Sequence, residues 1–163
     1  MMNINNIEAL IFDFDGVLTD NLVYVNQNGD EIVSCSRSDG LAFDVLHKMG
    51  MPVYILSTEK NSVVSARAKK LKAIVIQGVS NKSNALIKLA KDNSYKLENL
   101  LYVGNDLNDY NVMKLCGYSA CPADSHESII KISDIILATN GGKGVVRELL
   151  EDFFSIDFLK FLN

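Results

Sequence analysis

Six short runs rich in β-branched and aromatic residues, EALIFDF, PVYILS, AIVIQG, NLLYVG, YSAC and DIILAT, alternate with helix-patterned stretches of about ten residues or more. This alternation constrains the fold more than any other feature of the chain. Parallel strands joined by crossover helices satisfy it, and strands apolar on both faces require helices above and below. The expectation is an α/β, three-layer Rossmann-like fold around a central parallel sheet. One segment breaks the pattern: LVYVNQNGDEIVSCS, residues 22–36, reads as a β-hairpin turning at Asn28-Gly29, inserted directly after the first strand. In SDGLAFDVLHKMG, Leu41, Val45, Leu46 and Met49 form one helical stripe, with Ser38 or Asp39 able to cap its start and Gly50 its end. NSVVSARAKKLK and NKSNALIKLAKD carry the same helical pattern.

A chain of 163 residues is the size of one domain, 1–163, able to bury roughly 70% of its unfolded surface. No apolar run reaches the ~20 residues of a membrane span, and Met-Met-Asn-Ile-Asn-Asn has no export signal, so a cytoplasmic location is expected. Sixteen basic and 20 acidic residues are mixed along the chain, net charge −4, without the basic concentration a nucleic acid partner demands. Cys35, Cys116 and Cys121 are odd in number and not metal-spaced, which fits reduced thiols. His47 and His126 stand apart from every motif and receive no role.

In an open parallel sheet, ligands bind beyond the carboxyl ends of the strands. EALIFDFDGVLTDN ends the first strand with Asp13 and Asp15, which alternation along an extended backbone puts on one side. Two carboxylates gathered there repel unless a cation or proton compensates them, and a hard cation such as Mg²⁺ does so; solvated or capping aspartates are the competing reading. NLLYVGNDLND delivers Asn105, Asp106 and Asp109 to the same edge. YILSTEK brings the hydroxyls of Ser57 and Thr58, and QGVSNKSNAL sets Lys82 at a helix start, where ammonium and helix dipole both favour an anion. Together these groups support displacement at phosphorus. One aspartate attacks, the other protonates the leaving alcohol and then activates water, and the cation, lysine and hydroxyl hold the transferring group.

DFDGVLTD, the serine of ILSTEK, the lysine of SNK and GNDLND, in that order, resemble the motifs of the haloacid dehalogenase superfamily of phosphohydrolases. The short chain, the hairpin, SDG, QGVSNK and GGKGVVRE resemble its capless branch, which dephosphorylates 3-deoxy-octulosonate 8-phosphate and nine-carbon sialic-acid-type 9-phosphates. The resemblance implies that Asp13 is the nucleophile and a metal ligand, and that Asp15 is the general acid/base that also binds metal through its carbonyl. It further implies that Ser57 and Lys82 bind phosphate, with Asn105, Asp106 and Asp109 in or behind the metal site. STEK is closer to the nine-carbon subgroup and makes Glu59, Arg67 and Lys70 contacts for the sugar acid across a subunit boundary, beside Thr58. The branch assembles as a homotetramer in which a neighbouring subunit closes the site.

Two positions depart from the pattern. Asn105 stands where the branch usually has aspartate, and Thr58 where it has glycine. A similar asparagine occurs in the phosphatase-like C-terminal domain of vertebrate sialic acid cytidylyltransferases. The resemblance therefore carries an alternative, a weakly active assembly module for a sugar-acid cytidylyltransferase. A receiver domain shares the sheet, acids and lysine, but an early DFDGVLTD followed by a hairpin argues against it. The glycines of NGGKG fit either loop formation or a close backbone approach to substrate or a neighbouring chain, and Phe153, Phe154, Phe158 and Phe161 fit core or interface.

Overall fold

The computed structural model describes residues 3–162. All six expected runs form strands of one parallel sheet: β1 (Ala9–Phe12), β4 (Val53–Leu56), β5 (Ile74–Ile76), β6 (Leu100–Val103), β7 (Tyr118–Cys121) and β8 (Ile135–Ile136). Their spatial order is β5-β4-β1-β6-β7-β8. The chain steps outward from β1 to β5, then returns across the sheet to β6, so the crossover reversal lies between β1 and β6. A crevice opens there at the carboxyl ends. Register sharpens this: Phe12 pairs with both Ile55 and Val103, so the loops leaving these three strands emerge at one level.

Side chains alternate along the central strands into two separate cores. Leu10, Phe12, Val53, Ile55, Leu101 and Val103 pack under α1 (Arg37–Lys48), α2 (Ser62–Leu71) and α6 (Val145–Glu148). Ile11, Tyr54, Leu56, Leu100 and Tyr102 pack under α3 (Lys82–Asn93), α4 (Tyr110–Met113) and α5 (Glu127–Ile130). This is the three-layer α/β architecture the alternation predicts. At the sheet edges it is incomplete, since Ile74 and Ile136 are 58% and 56% exposed. No helix among the described residues is long and apolar enough to cross a membrane.

Several local expectations are corrected. Helix α1 is capped by Ser36, whose hydroxyl accepts the Ser38 N–H, and neither Ser38 nor Asp39 fills that place. Leu41 lies on the solvent side of α1, while Val45 and Leu46 are buried. The hairpin exists, as β2 (Tyr24–Val25) paired with β3 (Glu31–Ile32), but its turn spans 26–30. Asn26 builds that turn by accepting the N–H groups of Asn28 and Asp30 on its carboxamide oxygen. A side chain that closes an Asx-type loop thus displaced the two-residue Asn-Gly turn.

All three cysteines are free. His47 Nε2 meets the Leu71 carbonyl at 2.8 Å, tying α1 to α2, and His126 caps α5. Of the C-terminal phenylalanines, Phe158 is buried, Phe154 and Phe161 pack partly on the core, and Phe153 stays 42% exposed.

Candidate active site

A cavity of about 250 Å³ opens at the crossover reversal, lined by Asp13, Asp15, Asn21, Ser57, Thr58, Asn105, Asp106, Leu107 and Asn108. Its lining comes from the three loops that leave β1, β4 and β6.

Asp13 follows β1 directly, and its N–H continues the ladder to the Val103 carbonyl at 2.9 Å. Its Oδ1 accepts from the Phe14 N–H and from Lys82 Nζ, both at 2.7 Å. These bonds leave Oδ2 as the oxygen able to face a ligand. Asp15 does not share the strand with it. The chain has already turned, with Thr19 Oγ1 accepting the N–H groups of Gly16 and Asn21, and this turn brings Asp15 to the same cavity. Strand alternation predicted the right neighbour for the wrong reason. Asp15 is half-buried, and burial followed by repulsion from Glu59 pushes its carboxyl up. A carboxyl that keeps its proton longer is suited to protonate a leaving group.

Lys82, the first residue of α3, reaches inward with its side chain 2% exposed and bridges Asp13 and Asp109, 2.7 Å from each. The pull of both carboxylates outweighs burial and raises the affinity of this lysine for its proton. Asp109 is fully buried and saturated. Its Oδ1 accepts from Lys82 and from Tyr102 Oη, and its Oδ2 accepts the N–H groups of Asn105 and Asp106. Every lone-pair direction is taken, so Asp109 shapes the loop and orients Lys82 and is not a ligand donor. Asp106 is exposed at the rim, where it caps the turn by accepting the Leu107 N–H.

Ser57 is 2% exposed, and its Oγ accepts the Glu59 N–H at 3.0 Å, leaving its own O–H to donate. Thr58 reaches the cavity wall.

The capacity for a cation can be read from the buried polar groups. Asn105 Oδ1 is buried with no hydrogen-bond partner, a costly state for an amide oxygen unless something electropositive meets it. Asp13 points the same way, since burial and then the charge of Asp109 push its carboxyl well above the usual range despite Lys82. Among the described residues, no three His, Cys, Asp or Glu side chains gather as a metal cluster, so a site here depends on the carboxamide. Asp13 and Asn105 both line the cavity, and their hard oxygens are of the kind that could hold a Mg²⁺-like ion. Gly16 makes this possible: at φ 81° it lies so close that a Cβ would fall 2.0 Å from Asn105 Nδ2.

Of the expected sugar contacts, Thr58 lines the cavity and Glu59, Arg67 and Lys70 do not. Arg67 and Lys70 line a separate groove of about 420 Å³ with Glu31, Cys35 and Val63, and Arg67 donates to the Ser36 carbonyl. Glu59 stands exposed beside the cavity without lining it. Motif reading alone missed Asn21, Leu107 and Asn108, which lie within or beside the motif segments, and Tyr102, which sequence shows only as a core strand residue. Asn21 has a positive φ of 62°, in the loop that follows β1.

Residues 53–149 match the family of haloacid dehalogenase-like hydrolases. The chain is 36% identical over 152 residues to the 3-deoxy-D-manno-octulosonate 8-phosphate phosphatase KdsC of Salmonella typhi, covering 93% of this chain and 81% of that one. Its fold superposes with TM-score 0.87 and 31% identity on the 3-deoxy-D-manno-octulosonate 8-phosphate phosphatase of Moraxella catarrhalis in complex with magnesium, phosphate and KDO. That match covers 91% and 86% of the two chains. The cobalt-bound phosphatase YrbI of Haemophilus influenzae superposes with TM-score 0.88 and 30% identity, covering 94% and 91%. A saturated Asp109 holding Lys82 against Asp13, in a chain with these relatives, places the protein: it belongs to the haloacid dehalogenase-like hydrolase family and is a phosphoric monoester hydrolase.

Proposed function

We propose that residues 1–163 act as a single hydrolase domain that cleaves the phosphate ester of a 3-deoxy-2-ulosonic acid, with Mg²⁺ as cofactor and an aspartyl phosphate as intermediate. The observation that carries this reading is the pairing of Asp13, clamped by Lys82, with the unpartnered Asn105 Oδ1 in the lining of one cavity. The substrate class is supported by the relatives, which are 3-deoxy-octulosonate 8-phosphate phosphatases, one of them in complex with the sugar acid itself.

Asp13 Oδ2 attacks phosphorus in line with the ester oxygen, and the P–O bond to the sugar breaks as the new P–O bond forms. Asp15, which burial and Glu59 keep protonated longer than an ordinary carboxyl, gives its proton to the departing alkoxide. Its carboxylate then takes a proton from water, whose oxygen attacks phosphorus and releases phosphate and free Asp13. Lys82 and the Ser57 hydroxyl hold the phosphoryl oxygens through both transfers. When bound by Asp13, the Asp15 carbonyl and Asn105, the cation offsets the negative charge that builds on the phosphoryl group.

Arg67 and Lys70, facing away from the cavity of their own chain, fit a role toward the sugar acid of a neighbouring subunit, with Glu59 and Thr58 at the rim. The hairpin supports such an assembly, a cytoplasmic homotetramer in this reading, because Leu22, Tyr24, Val25 and Ile32 are each more than half exposed.

Phosphate release from a panel of sugar phosphates, with and without Mg²⁺, tests the reading. Wild type is expected to release phosphate from an ulosonic acid phosphate only with Mg²⁺, and Asp13→Asn to lose at least ~10³-fold in kcat by removing the nucleophile. Asn105 favours a second reading, since a carboxamide brings no charge to the cation. If wild type is inert and Asn105→Asp awakens it, the domain serves assembly with a sugar-acid cytidylyltransferase.

A further inference from the structure

The loop 138–144 has no regular structure, yet two carboxylates pin it and a third pins the helix that follows. Glu148 accepts the N–H groups of Ala138 and Thr139, both at 2.7 Å, and Asp124 accepts that of Gly141 at 2.9 Å. The third carboxylate belongs to Asp39. Though it sits in the first turn of α1, Asp39 caps a different helix: its Oδ1 accepts the N–H groups of Val146 at 2.9 Å and Arg147 at 3.1 Å, more than a hundred residues away. Helix α6 has no cap of its own, because its N-cap position is Gly144. Asp39 is 2% exposed, and its Oδ2 has no partner at all, so the carboxylate is kept at a cost in burial.

What the loop does with this anchorage is visible at its glycines. Gly142 donates its N–H to the Val17 carbonyl at 2.9 Å, inside the turn that carries Asp15. A methyl group on Gly141 would come within 2.2 Å of the Gly16 carbonyl oxygen, and one on Gly142 within 2.5 Å of the Asp20 nitrogen. Gly16 in turn packs on the Asn105 carboxamide. A continuous series of tight contacts therefore runs from Asp39 through α6 and the loop to the turn bearing the acid/base and the cation donors. The close approach expected of the NGGKG glycines is real, but its target is the chain's own catalytic turn.

We propose that Asp39 is a positioning residue for the phosphatase reaction, holding α6 and its glycine loop so that the loop braces residues 16–20. The inference rests on the roles proposed above for Asp15 and Asn105. Its test is hydrogen–deuterium exchange on the full chain, paired with steady-state kinetics. In Asp39→Ala, peptides covering 141–147 and 16–20 are expected to exchange about tenfold faster while 100–103 stays protected, because local opening is confined to the braced unit. Turnover is expected to fall about tenfold with KM within about twofold, as displacement of the acid/base affects kcat first. Asp39→Asn keeps the accepting oxygen and is expected to restore both.

Unchanged protection of 16–20 in Asp39→Ala, or equal loosening of 100–103, would overturn the proposal. So would an Asp39→Asn protein that behaves like the alanine variant. If Asp39→Ala does not fold, Asp39→Glu keeps the charge, moves the acceptor by one methylene and is expected to loosen the same two segments. A protein inert toward every sugar phosphate overturns the phosphatase reading but leaves the exchange result to decide the brace.

Discussion

The centre around Lys82 and the hairpin beyond β1 lie on the same edge of the sheet, yet they are built on opposite principles. At the centre, Lys82, Asp13, Asp109 and Tyr102 are almost wholly buried and joined by bonds of 2.7 to 2.9 Å. In the hairpin, each strand is two residues long, and Tyr24 and Val25 are 59% and 65% exposed. Beyond its own pairing the hairpin is held by the Thr19–Cys35 bridge, by Asn61 donating to Glu31 at 2.8 Å, and by Val33 and Cys35 against the core. A charged cluster out of water is costly unless its members pair with one another, and that pairing fixes its geometry. An apolar ribbon in water gains its missing burial only from a covering surface, the role proposed above for a neighbouring subunit.

The contrast breaks most severely if the cation at the centre is removed. Lys82→Met leaves two buried carboxylates facing each other, and unfolding by urea should show a loss of about 3–5 kcal/mol. Tyr102→Phe is the subtler disruption. It deletes one donor to Asp109 without opening a cavity, and about 1–3 kcal/mol of stability should go with it, visible in the same titration.

Asp39 offers a change in the other direction. Burial pushes its carboxyl up to about 6, against the two backbone N–H groups and Arg67, which lower it. The folded protein thus holds this proton more tightly than the unfolded chain, and the carboxylate's contribution to stability declines as pH rises from about 4 to about 6. Asp39→Asn removes that penalty while keeping an acceptor. It should stabilise the protein at pH 7 by about 1–3 kcal/mol, with the gain shrinking toward pH 4, as thermal melts across that range will show.

Smallest is the effect in the hairpin. Tyr24→Ser should change the unfolding free energy of dilute protein by no more than about 0.5 kcal/mol, and sedimentation velocity should instead show weakened self-association.

The motif segments were legible in sequence because each is local: a strand, its last residue and the turn beyond it. DFDGVLTD, ILST and GNDLND line one cavity, with the lysine of SNK bonded to Asp13 behind it, because Phe12 aligns with Ile55 and Val103, a register the sequence does not specify. Individual roles within those segments were less legible. Asp106 and Asp109 look alike in NDLND, but one caps an exposed turn and the other is saturated in the core. Asp39 seemed a cap for its own helix, where Ser36 had already taken the place. Arg67 and Lys70, grouped with Glu59 by resemblance, open into a different groove.

From the sequence alone come the six-stranded parallel order of βα units, the inserted hairpin and the inventory of acids, lysine and hydroxyls at the strand ends. Periodicity, caps and turn residues act over a few positions, and a linear reading captures them. Only the tertiary structure decided which carboxylate lines the cavity, which is saturated in the core and which caps a distant helix. Those roles depend on partners 27 residues away for Lys82 and Asp109 and 107 away for Asp39 and Val146. Burial then sets the cost of each unpaired oxygen, and it is burial, a property of the packed chain, that turns similar aspartates into different chemical groups.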